Sequence, residues 1–331
     1  MKAIVFDEHG DIDVLRYRDI ETPELEPGQV RIAVRACSLN YHDVFTRIGM
    51  PGIKVPLPGI PGCDAAGQVS ELGPGVDGWS VGDRVLVDPV FWDLDNGKMW
   101  MIGDTWWGAY AEYVVFNASQ LIALDDDISY EDASCLPVAY GTAHRMMFTR
   151  GRVTGDDTVL VLGASGGVGS CAVLLAKQVG ARVIAAAGSD EKCEQLVALG
   201  ADETINMAQM PDGLDKFTAD KGSFDVMYEC TGAVPALTAG IHAMRPGGTI
   251  MQLGLSGDMS LPMMAITAKE LSLKGSFRFH DEFKTGVSLM QKGLIDVKPL
   301  ITHTVGIDNA EDGFKLASDR SQAMKTQIQF T

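Results

Sequence analysis

The chain has 331 residues, about two domains by length, and can bury a large apolar core without disulfides or metals. Hydrophobic residues make up 46% and charged residues 21%, a balance that excludes a disordered or low-complexity protein. The 27 Lys and Arg residues against 44 Asp and Glu residues give a net charge of −17. A negative field of this size repels phosphate backbones, so nucleic acid is not expected as a partner.

The N-terminus and the cysteines predict a cytoplasmic protein. The apolar run before Asp7 is only four residues long, at 3–6, which is too short for a secretory signal. The uncharged stretch 158–176 approaches the length of a membrane span, but its glycines and serines favour a strand, a turn and a helix instead. The six cysteines form no closely spaced pairs, which favours reduced thiols over a disulfide framework or a zinc ribbon. We expect no membrane association.

The first part of the chain has the pattern of a β domain. Residues 29–36 alternate polar and apolar side chains, which is the period of a half-buried strand. Short apolar runs follow at 66–69 and 84–87, and turns rich in Gly and Pro separate them. Many short strands joined by such turns predict a barrel-like domain.

From about residue 150 the pattern changes to strands that alternate with helices. Strands are predicted over 158–162, 182–187, 224–228 and 248–253, and helices over 166–179, 190–199 and 234–244. The strands are almost entirely apolar, as expected for a parallel sheet that is covered by helices on both faces. This part of the chain is therefore predicted to be an α/β domain.

A glycine-rich turn joins the first of these strands to its helix. The first N–H groups of a helix have no partner within the helix, and together with the helix dipole they bind a diphosphate. Gly166 would let the backbone approach the phosphates, and Gly169 would let the helix pack closely on the strand. A tight turn without a ligand is the alternative. The predicted dinucleotide contacts are Gly163, Ser165, Gly166, Gly167, Val168 and Gly169.

The end of the next strand indicates which dinucleotide binds. An NAD site usually has an acidic residue there, about twenty residues after the turn, that holds the ribose 2′-OH. Here the strand ends at Ala187, while Ser189 and Lys192 are placed to hold a 2′-phosphate by hydrogen bond and charge. In the alternative, Asp190 takes the role of the acid. We therefore expect NADP(H) rather than NAD(H).

Motifs shared with one superfamily cover nearly the whole chain. They lie at residues 59–67, 81–85, 108–115, 136–143, 163–169, 199–203, 246–249, 275–280 and 298–303. By these motifs the chain resembles the medium-chain dehydrogenase/reductase superfamily, which includes zinc alcohol dehydrogenases and zinc-free quinone oxidoreductases.

The resemblance implies an α/β fold with two domains. The first is a GroES-like β-barrel catalytic domain at residues 1–125, completed by residues 270–331. The second is a Rossmann NADP(H)-binding domain at residues 126–269, whose parallel sheet is doubly wound. The resemblance also implies a homodimer or a homotetramer.

The chain departs from the zinc enzymes of the superfamily at the metal-ligand positions. The first ligand position holds Asn40, an amide, and the third falls at Val138, which cannot bind a metal. Residues 91–107, where a structural zinc lobe would lie, contain no cysteine. We therefore expect no zinc. A rearranged metal site of His42, Cys63 and Asp64 is the alternative.

The resemblance also suggests which residues carry the chemistry. Asn40 falls beside the nicotinamide ribose and the substrate, and His42 falls where alcohol dehydrogenases begin their proton relay. With an unperturbed pKa of about 6.5, a histidine exchanges protons near neutral pH. Tyr41 is the competing acid, and Asp43 would orient one of the two. Further cofactor contacts are implied for Thr142, Cys230, Gly254, Phe277, Arg278 and Lys325.

The resemblance thus implies a zinc-independent oxidoreductase that transfers a hydride between NADP(H) and a small carbonyl compound, alcohol, quinone or conjugated enone. An alcohol or polyol dehydrogenase with an altered metal site is one alternative. A crystallin-like protein that binds NADPH without turnover is the other.

Overall fold

The computed structural model describes residues 1–49, 54–93, 98–319 and 322–330. The strands of this part, in chain order, are β1 (Lys2–Val5), β2 (Arg16–Asp19), β3 (Gln29–Ser38), β4 (Asp64–Leu72), β5 (Arg84–Val87), β6 (Val90–Asp93), β7 (Lys98–Met101), β8 (Tyr113–Asn117), β9 (Leu121–Ala123), β10 (Thr158–Leu162), β11 (Arg182–Ala187), β12 (Glu203–Asn206), β13 (Phe224–Glu229), β14 (Met244–Gln252), β15 (Ser272–Gly275), β16 (Ile301–Gly306) and β17 (Lys325–Gln329).

The α-helices of the same residues are α1 (Tyr41–Ile48), α2 (Tyr130–Ala133), α3 (Gly141–His144), α4 (Gly167–Gln178), α5 (Asp190–Ala198), α6 (Val234–Ala243), α7 (Met263–Ala268), α8 (Glu282–Gln291) and α9 (Ala310–Ser318). Two wider π-helical turns, Leu136–Tyr140 and Arg145–Gly151, flank α3. Among the described helices, none combines the length and the apolar character needed to cross a membrane.

The chain divides into two compact units, of which the first comprises residues 1–138 and 284–331. Its main sheet has the strand order β16-β17-β3-β4-β5-β9, and β8 also pairs with β3. The long central strand β3 runs antiparallel to β4, β8 and β17. Its alternating residues Val30, Ile32 and Val34 are buried, as the sequence pattern predicts. This unit is the GroES-like domain, and its apolar core lies around β3.

The second unit comprises residues 139–283 and is the Rossmann domain. Its six strands have the order β12-β11-β10-β13-β14-β15, and all the neighbouring pairs are parallel. The chain first builds outward from β10 to β12 and then returns to the other side of β10. The sheet is therefore doubly wound, with its topological switch point between β10 and β13, where ligands bind in this class of fold. The predicted fold class is confirmed.

The boundaries of the units differ from the predicted 125/126 and 269/270, and lie at 138/139 and 283/284. At the first boundary, α2 packs on β3 and β4, and the Gln327 side chain donates a hydrogen bond to the Glu131 carbonyl. At the second, β15 pairs with β14 as the last strand of the parallel sheet. Residues 126–138 thus fold with the barrel, and residues 270–283 fold with the Rossmann sheet.

Candidate active site

The first turn of α1 carries three of the predicted catalytic residues. The chain leaves β3 at Ser38, and Asn40 is the N-cap of α1 with an extended backbone. The Asp43 carboxylate, one turn into the helix, accepts a hydrogen bond of 2.8 Å from the Asn40 backbone N–H. This is half of a capping box, and it fixes the direction in which the helix begins. Tyr41 and His42 lie between these two residues.

Asp43 is a fully buried acceptor that connects three segments of the first unit. Besides Asn40, its carboxylate accepts from the Tyr110 hydroxyl at 2.7 Å, the Gly62 N–H at 3.2 Å and the Cys63 thiol at 3.5 Å. Burial, followed by the nearby Asp43 charge, raises the pKa of Tyr110 well above its usual value. Of these partners, Asn40 is a predicted catalytic residue, and Cys63 belongs to the alternative metal site expected from the sequence. The expectation that Asp43 orients Tyr41 or His42 stays a prediction.

Asn40 is joined to two buried charged residues. Its side-chain N–H₂ donates to Asp64 Oδ2 at 2.8 Å, and its carbonyl oxygen accepts from Lys325 Nζ at 2.7 Å. Lys325 Nζ also lies 3.4 Å from Asp64 Oδ2. The other Asp64 oxygen accepts the Val138 backbone N–H at 2.9 Å. Burial raises the pKa of Asp64, and the charge of Lys325 and the bond from Asn40 oppose that rise.

Both ring nitrogens of His42 lie close to polar groups. Nδ1 is 3.2 Å from the Cys63 sulfur, and Nε2 is 3.3 Å from Asp104 Oδ2. The His42 side chain is 12% exposed, whereas Tyr41 is 38% exposed and stacks edge-on against Phe45. The sequence did not predict a role for Asp104, because nothing in its local pattern points to the distant His42.

One cluster in the described residues has the donor atoms for a metal ion. One potential ligand atom from each of His42, Asp43 and Cys63 lies within 4.8 Å of the others. The alternative expected from the sequence contained Asp64, which instead pairs with Lys325. A cation here would compete for the four hydrogen bonds of the Asp43 carboxylate and leave buried donors unsatisfied. This ligand set does not fit a zinc ion without that rearrangement.

The predicted dinucleotide turn is present between β10 and α4 in the second unit. Gly163 has a φ of +69°, and a Cβ on Gly169 would lie only 2.2 Å from the Gly163 oxygen. Gly166 is the N-cap of α4, and no side chain caps the helix there. A Cβ on Gly166 would meet only the Gly163 oxygen, at 3.4 Å, so the space above the turn is open. This cradle fits the diphosphate of a dinucleotide.

The residues after β11 are more enclosed than the sequence suggested. The Ser189 hydroxyl accepts the Lys192 N–H at 3.4 Å and caps α5, and Lys192 is only 2% exposed. The two Asp190 oxygens accept the side-chain amides of Asn206 and Gln209, each at 2.8 Å. The prediction placed Ser189 and Lys192 at an open phosphate site. The structure gives Ser189 a capping bond and buries the side chain of Lys192.

Glu229 organises the segments that carry two predicted cofactor contacts. This buried residue ends β13, and its carboxylate accepts the backbone N–H groups of Thr231 and Gly232 and the Gln252 side chain. Its backbone carbonyl accepts the Gly254 N–H at 2.9 Å. Cys230 and Gly254 are thereby held at the carboxyl ends of β13 and β14. Glu229 was not among the predicted site residues, although an acidic residue at the end of an apolar strand is a usable signal.

Three further predicted contacts lie in two adjoining segments of the second unit. Thr142 is buried in α3, and a Cβ on the preceding Gly141 would lie 3.2 Å from the Phe279 side chain. Next to Phe279, the Arg278 guanidinium lies 5.1 Å from the ring centre of the exposed Phe277. The fold therefore brings the segment of Thr142 close to that of Phe277 and Arg278.

Comparison with known proteins identifies the family. Residues 26–126 match the family model described as alcohol dehydrogenase GroES-like domain, and residues 167–292 match zinc-binding dehydrogenase. A quinone oxidoreductase of Rattus norvegicus is 30% identical over 94% of this chain and 92% of its own length. The chain belongs to the medium-chain dehydrogenase/reductase family. It is an NAD(P)-dependent oxidoreductase.

Other members of the family are similar to the same extent. A sorbitol dehydrogenase of Rattus norvegicus is 30% identical over 93% of this chain and 91% of its own length. The crystal structure of an NAD-dependent alcohol dehydrogenase superposes with a TM-score of 0.91 at 32% identity, covering 99% of both chains. The relatives thus span quinone, polyol and alcohol substrates.

Proposed function

We propose that the protein is a zinc-independent oxidoreductase that transfers a hydride between NADP(H) and a small carbonyl compound, alcohol, quinone or conjugated enone. The observation that carries the proposal is the bonded group Asn40, Asp64 and Lys325. Asn40 stands at the first metal-ligand position of the zinc enzymes, and a lysine ammonium is bonded to it. The similarity to quinone oxidoreductase supports the same assignment.

The chemistry of the donors argues against zinc in this position. A catalytic zinc needs three N, S or carboxylate ligands with lone pairs directed at the ion. The Asn40 N–H₂ and the Val138 N–H instead donate to the two oxygens of Asp64. The lysine ammonium adds a positive charge close to the place of the metal, which repels a second cation.

In this proposal the dinucleotide, when bound, supplies a hydride. The protein holds the diphosphate on the backbone N–H groups in the first turn of α4, and it places the substrate oxygen next to hydrogen-bond donors. The carbonyl carbon gains the hydride, the π electron pair moves to the oxygen, and the oxygen takes one proton, which gives the alcohol. Tyr41 and His42 are the two candidates for the proton donor. Tyr41 is the more exposed, whereas His42 Nδ1 lies 3.2 Å from the Cys63 sulfur and His42 Nε2 lies 3.3 Å from Asp104 Oδ2.

A substrate screen tests this function. NADPH consumption by the purified protein is measured with an aldehyde, a ketone, a quinone and a conjugated enone, after dialysis against a chelator. Turnover of at least one class by the chelated protein is the expected result. Turnover that requires added zinc would contradict the metal-free mechanism, and NADPH binding without any turnover would favour the crystallin-like alternative.

A metal-dependent alcohol or polyol dehydrogenase is the second candidate, favoured by the cluster of His42, Asp43 and Cys63. The substitution Cys63→Ser separates the two, because serine keeps a hydroxyl for the bond to Asp43 but removes the thiolate ligand. We expect Cys63→Ser to retain at least about half of the activity, measured as kcat/KM. Loss of activity together with loss of bound zinc would contradict this and support the metal enzyme.

The preference for NADP(H) is supported by the engaged carboxylate of Asp190. Its two oxygens are bonded to Asn206 and Gln209, so it is poorly placed to hold a ribose 2′-OH. Lys192 would supply the charge for a 2′-phosphate by turning out of its buried position.

The substitution Lys192→Met tests this assignment, because methionine fills the same buried volume without the charge. We expect it to weaken NADPH binding by about tenfold, the value of one charge-assisted bond, and to leave NADH binding unchanged. Titrations with both nucleotides measure the effect. A wild-type preference for NADH that Lys192→Met does not alter would reverse the assignment.

The edge strand of the second sheet and the free cysteines bear on the oligomeric state and the cellular compartment of the protein. We propose a homodimer or homotetramer, because β15 is the edge strand of the Rossmann sheet and carries the exposed Leu273. Light scattering of the purified protein tests this, and a monomer would contradict it. The six free thiols support a reducing cytoplasm.

A further inference from the structure

The hydrogen bonds of Asn40 determine which donors and acceptors of its side chain remain free for a substrate. An ammonium group is only a donor, so Lys325 must face the amide oxygen of Asn40, which fixes the orientation of the amide. The two N–H bonds of that amide then point at Asp64 Oδ2, at 2.8 Å, and at the Ser38 carbonyl, at 3.4 Å. Asn40 retains a lone pair but no free N–H for a substrate oxygen.

The inventory of Lys325 differs. Its ammonium has three N–H bonds, and two of them are accounted for by Asn40 Oδ1 at 2.7 Å and Asp64 Oδ2 at 3.4 Å. Among the described residues, no other acceptor is bonded to this nitrogen. Lys325 is therefore the one member of the bonded group that can still donate to a substrate oxygen.

The fold builds this placement into the register of the first sheet. β17 runs antiparallel to β3, with Gln327 opposite Ser38, so the same register continued by two residues sets Lys325 opposite Asn40. The Leu39 N–H donates to the Thr326 carbonyl at 2.8 Å and holds the two segments together at that point. The lysine is thus fixed by the backbone of a sheet rather than by a flexible loop.

Burial of Lys325 strengthens the hydrogen bonds that its ammonium group donates. Lys325 is 3% exposed, and hydrogen bonds from a charged donor are stronger where water is largely excluded. Before substrate binds, the Asp64 carboxylate balances the positive charge of Lys325. As the substrate oxygen becomes negative, it therefore competes with this one carboxylate for the ammonium group.

We propose that Lys325, rather than Asn40, is the catalytic donor to the substrate oxygen that gains negative charge during hydride transfer. The ammonium supplies the polarisation that zinc supplies in the metal-dependent relatives. This inference rests on the proposed metal-free function and deepens it. Lys325 was predicted from the sequence as a cofactor contact, and its placement on Asn40 and Asp64 gives it this different role.

The test compares three variants. Lys325→Met removes the donor, Lys325→Arg keeps a donor, and Lys325→Met combined with Asp64→Asn removes the donor without leaving an unpaired buried carboxylate. We expect the single Met variant to lose about 100-fold or more in kcat/KM, as when one oxyanion donor is removed, with an unchanged Kd for NADPH. The double variant should regain thermal stability but not activity, and the Arg variant should retain part of the activity.

A second measurement distinguishes a catalytic role of Lys325 from a purely structural one. Loss of a donor should penalise an electron-rich benzaldehyde more than an electron-poor one, because the electron-poor ring carries more of the developing charge itself. Equal losses on both aldehydes would overturn the proposal. It is also overturned if activity returns with stability in the double variant, or if Kd for NADPH rises as much as kcat/KM falls. Absence of turnover in wild type would instead refute the proposed function.

Discussion

Asp43→Ala is expected to destabilise the first unit by about 3–5 kcal/mol, because each buried donor left without an acceptor costs about 1–3 kcal/mol. The N–H groups of Asn40 and Gly62 would lose their acceptor, and the Tyr110 hydroxyl would keep only its longer bond to the Ser38 carbonyl, at 3.4 Å. The Cys63 thiol would lose a weaker bond. The segments that build the candidate site are thus held by one carboxylate.

Tyr110→Phe is the matched control, since it removes one of these donors without changing the volume of the side chain much. We expect it to cost about 1–2 kcal/mol, clearly less than Asp43→Ala. Urea unfolding followed by tryptophan fluorescence gives both free energies. If the free energy of unfolding of Asp43→Ala lies within about 1 kcal/mol of the wild-type value, the carboxylate does not organise the site as described.

The second large effect is expected at Gly166. A Cβ there would meet only the Gly163 oxygen at 3.4 Å, so Gly166→Ala should fold normally. The methyl group would nevertheless stand in the open space where a diphosphate approaches the first amides of α4. We expect at least a tenfold loss of NADPH affinity in Gly166→Ala, and about 100-fold in Gly166→Val, because the phosphates lose their charge-assisted bonds.

Gly275→Ala serves as the control in the same unit, because a Cβ on Gly275 would meet nothing within 4 Å. It should bind NADPH like wild type. Gly169→Ala provides the opposite case, since its Cβ would lie 2.2 Å from the Gly163 oxygen and the fold itself should suffer. Wild-type affinity in Gly166→Val would mean that the cofactor does not lie on this turn.

Much of the architecture could be predicted because it depends on local pattern. The strands β5, β10 and β11 begin and end where the sequence placed them, since each is an apolar run bounded by turn residues. The glycine turn was also predictable, because the approach of phosphates at Gly166 and the close packing of the helix at Gly169 both need glycine at fixed spacing. The family resemblance supplied the GroES-like domain, which local pattern shows only as a series of short strands.

The contacts that define the candidate site could not be read from local pattern. Lys325 meets Asn40 across 285 residues, and only the antiparallel register of β17 and β3 brings them together. Asp104 approaches His42 from a segment whose sequence shows no periodicity. The burial of Lys192 was missed for a related reason, because a lysine on a helix is usually solvated and its enclosure depends on tertiary packing.

The most direct test of the account follows the hydride itself. NADPH with deuterium at both C4 positions of the nicotinamide is mixed with an aldehyde, ketone or enone substrate, whose product keeps the transferred deuterium on carbon, and with protein whose zinc content has been measured after chelation. Zinc-independent hydride transfer predicts one deuterium per product molecule, formed at the same rate by zinc-free and zinc-supplemented protein. Product without deuterium, or product formed only by zinc-loaded protein, would contradict it.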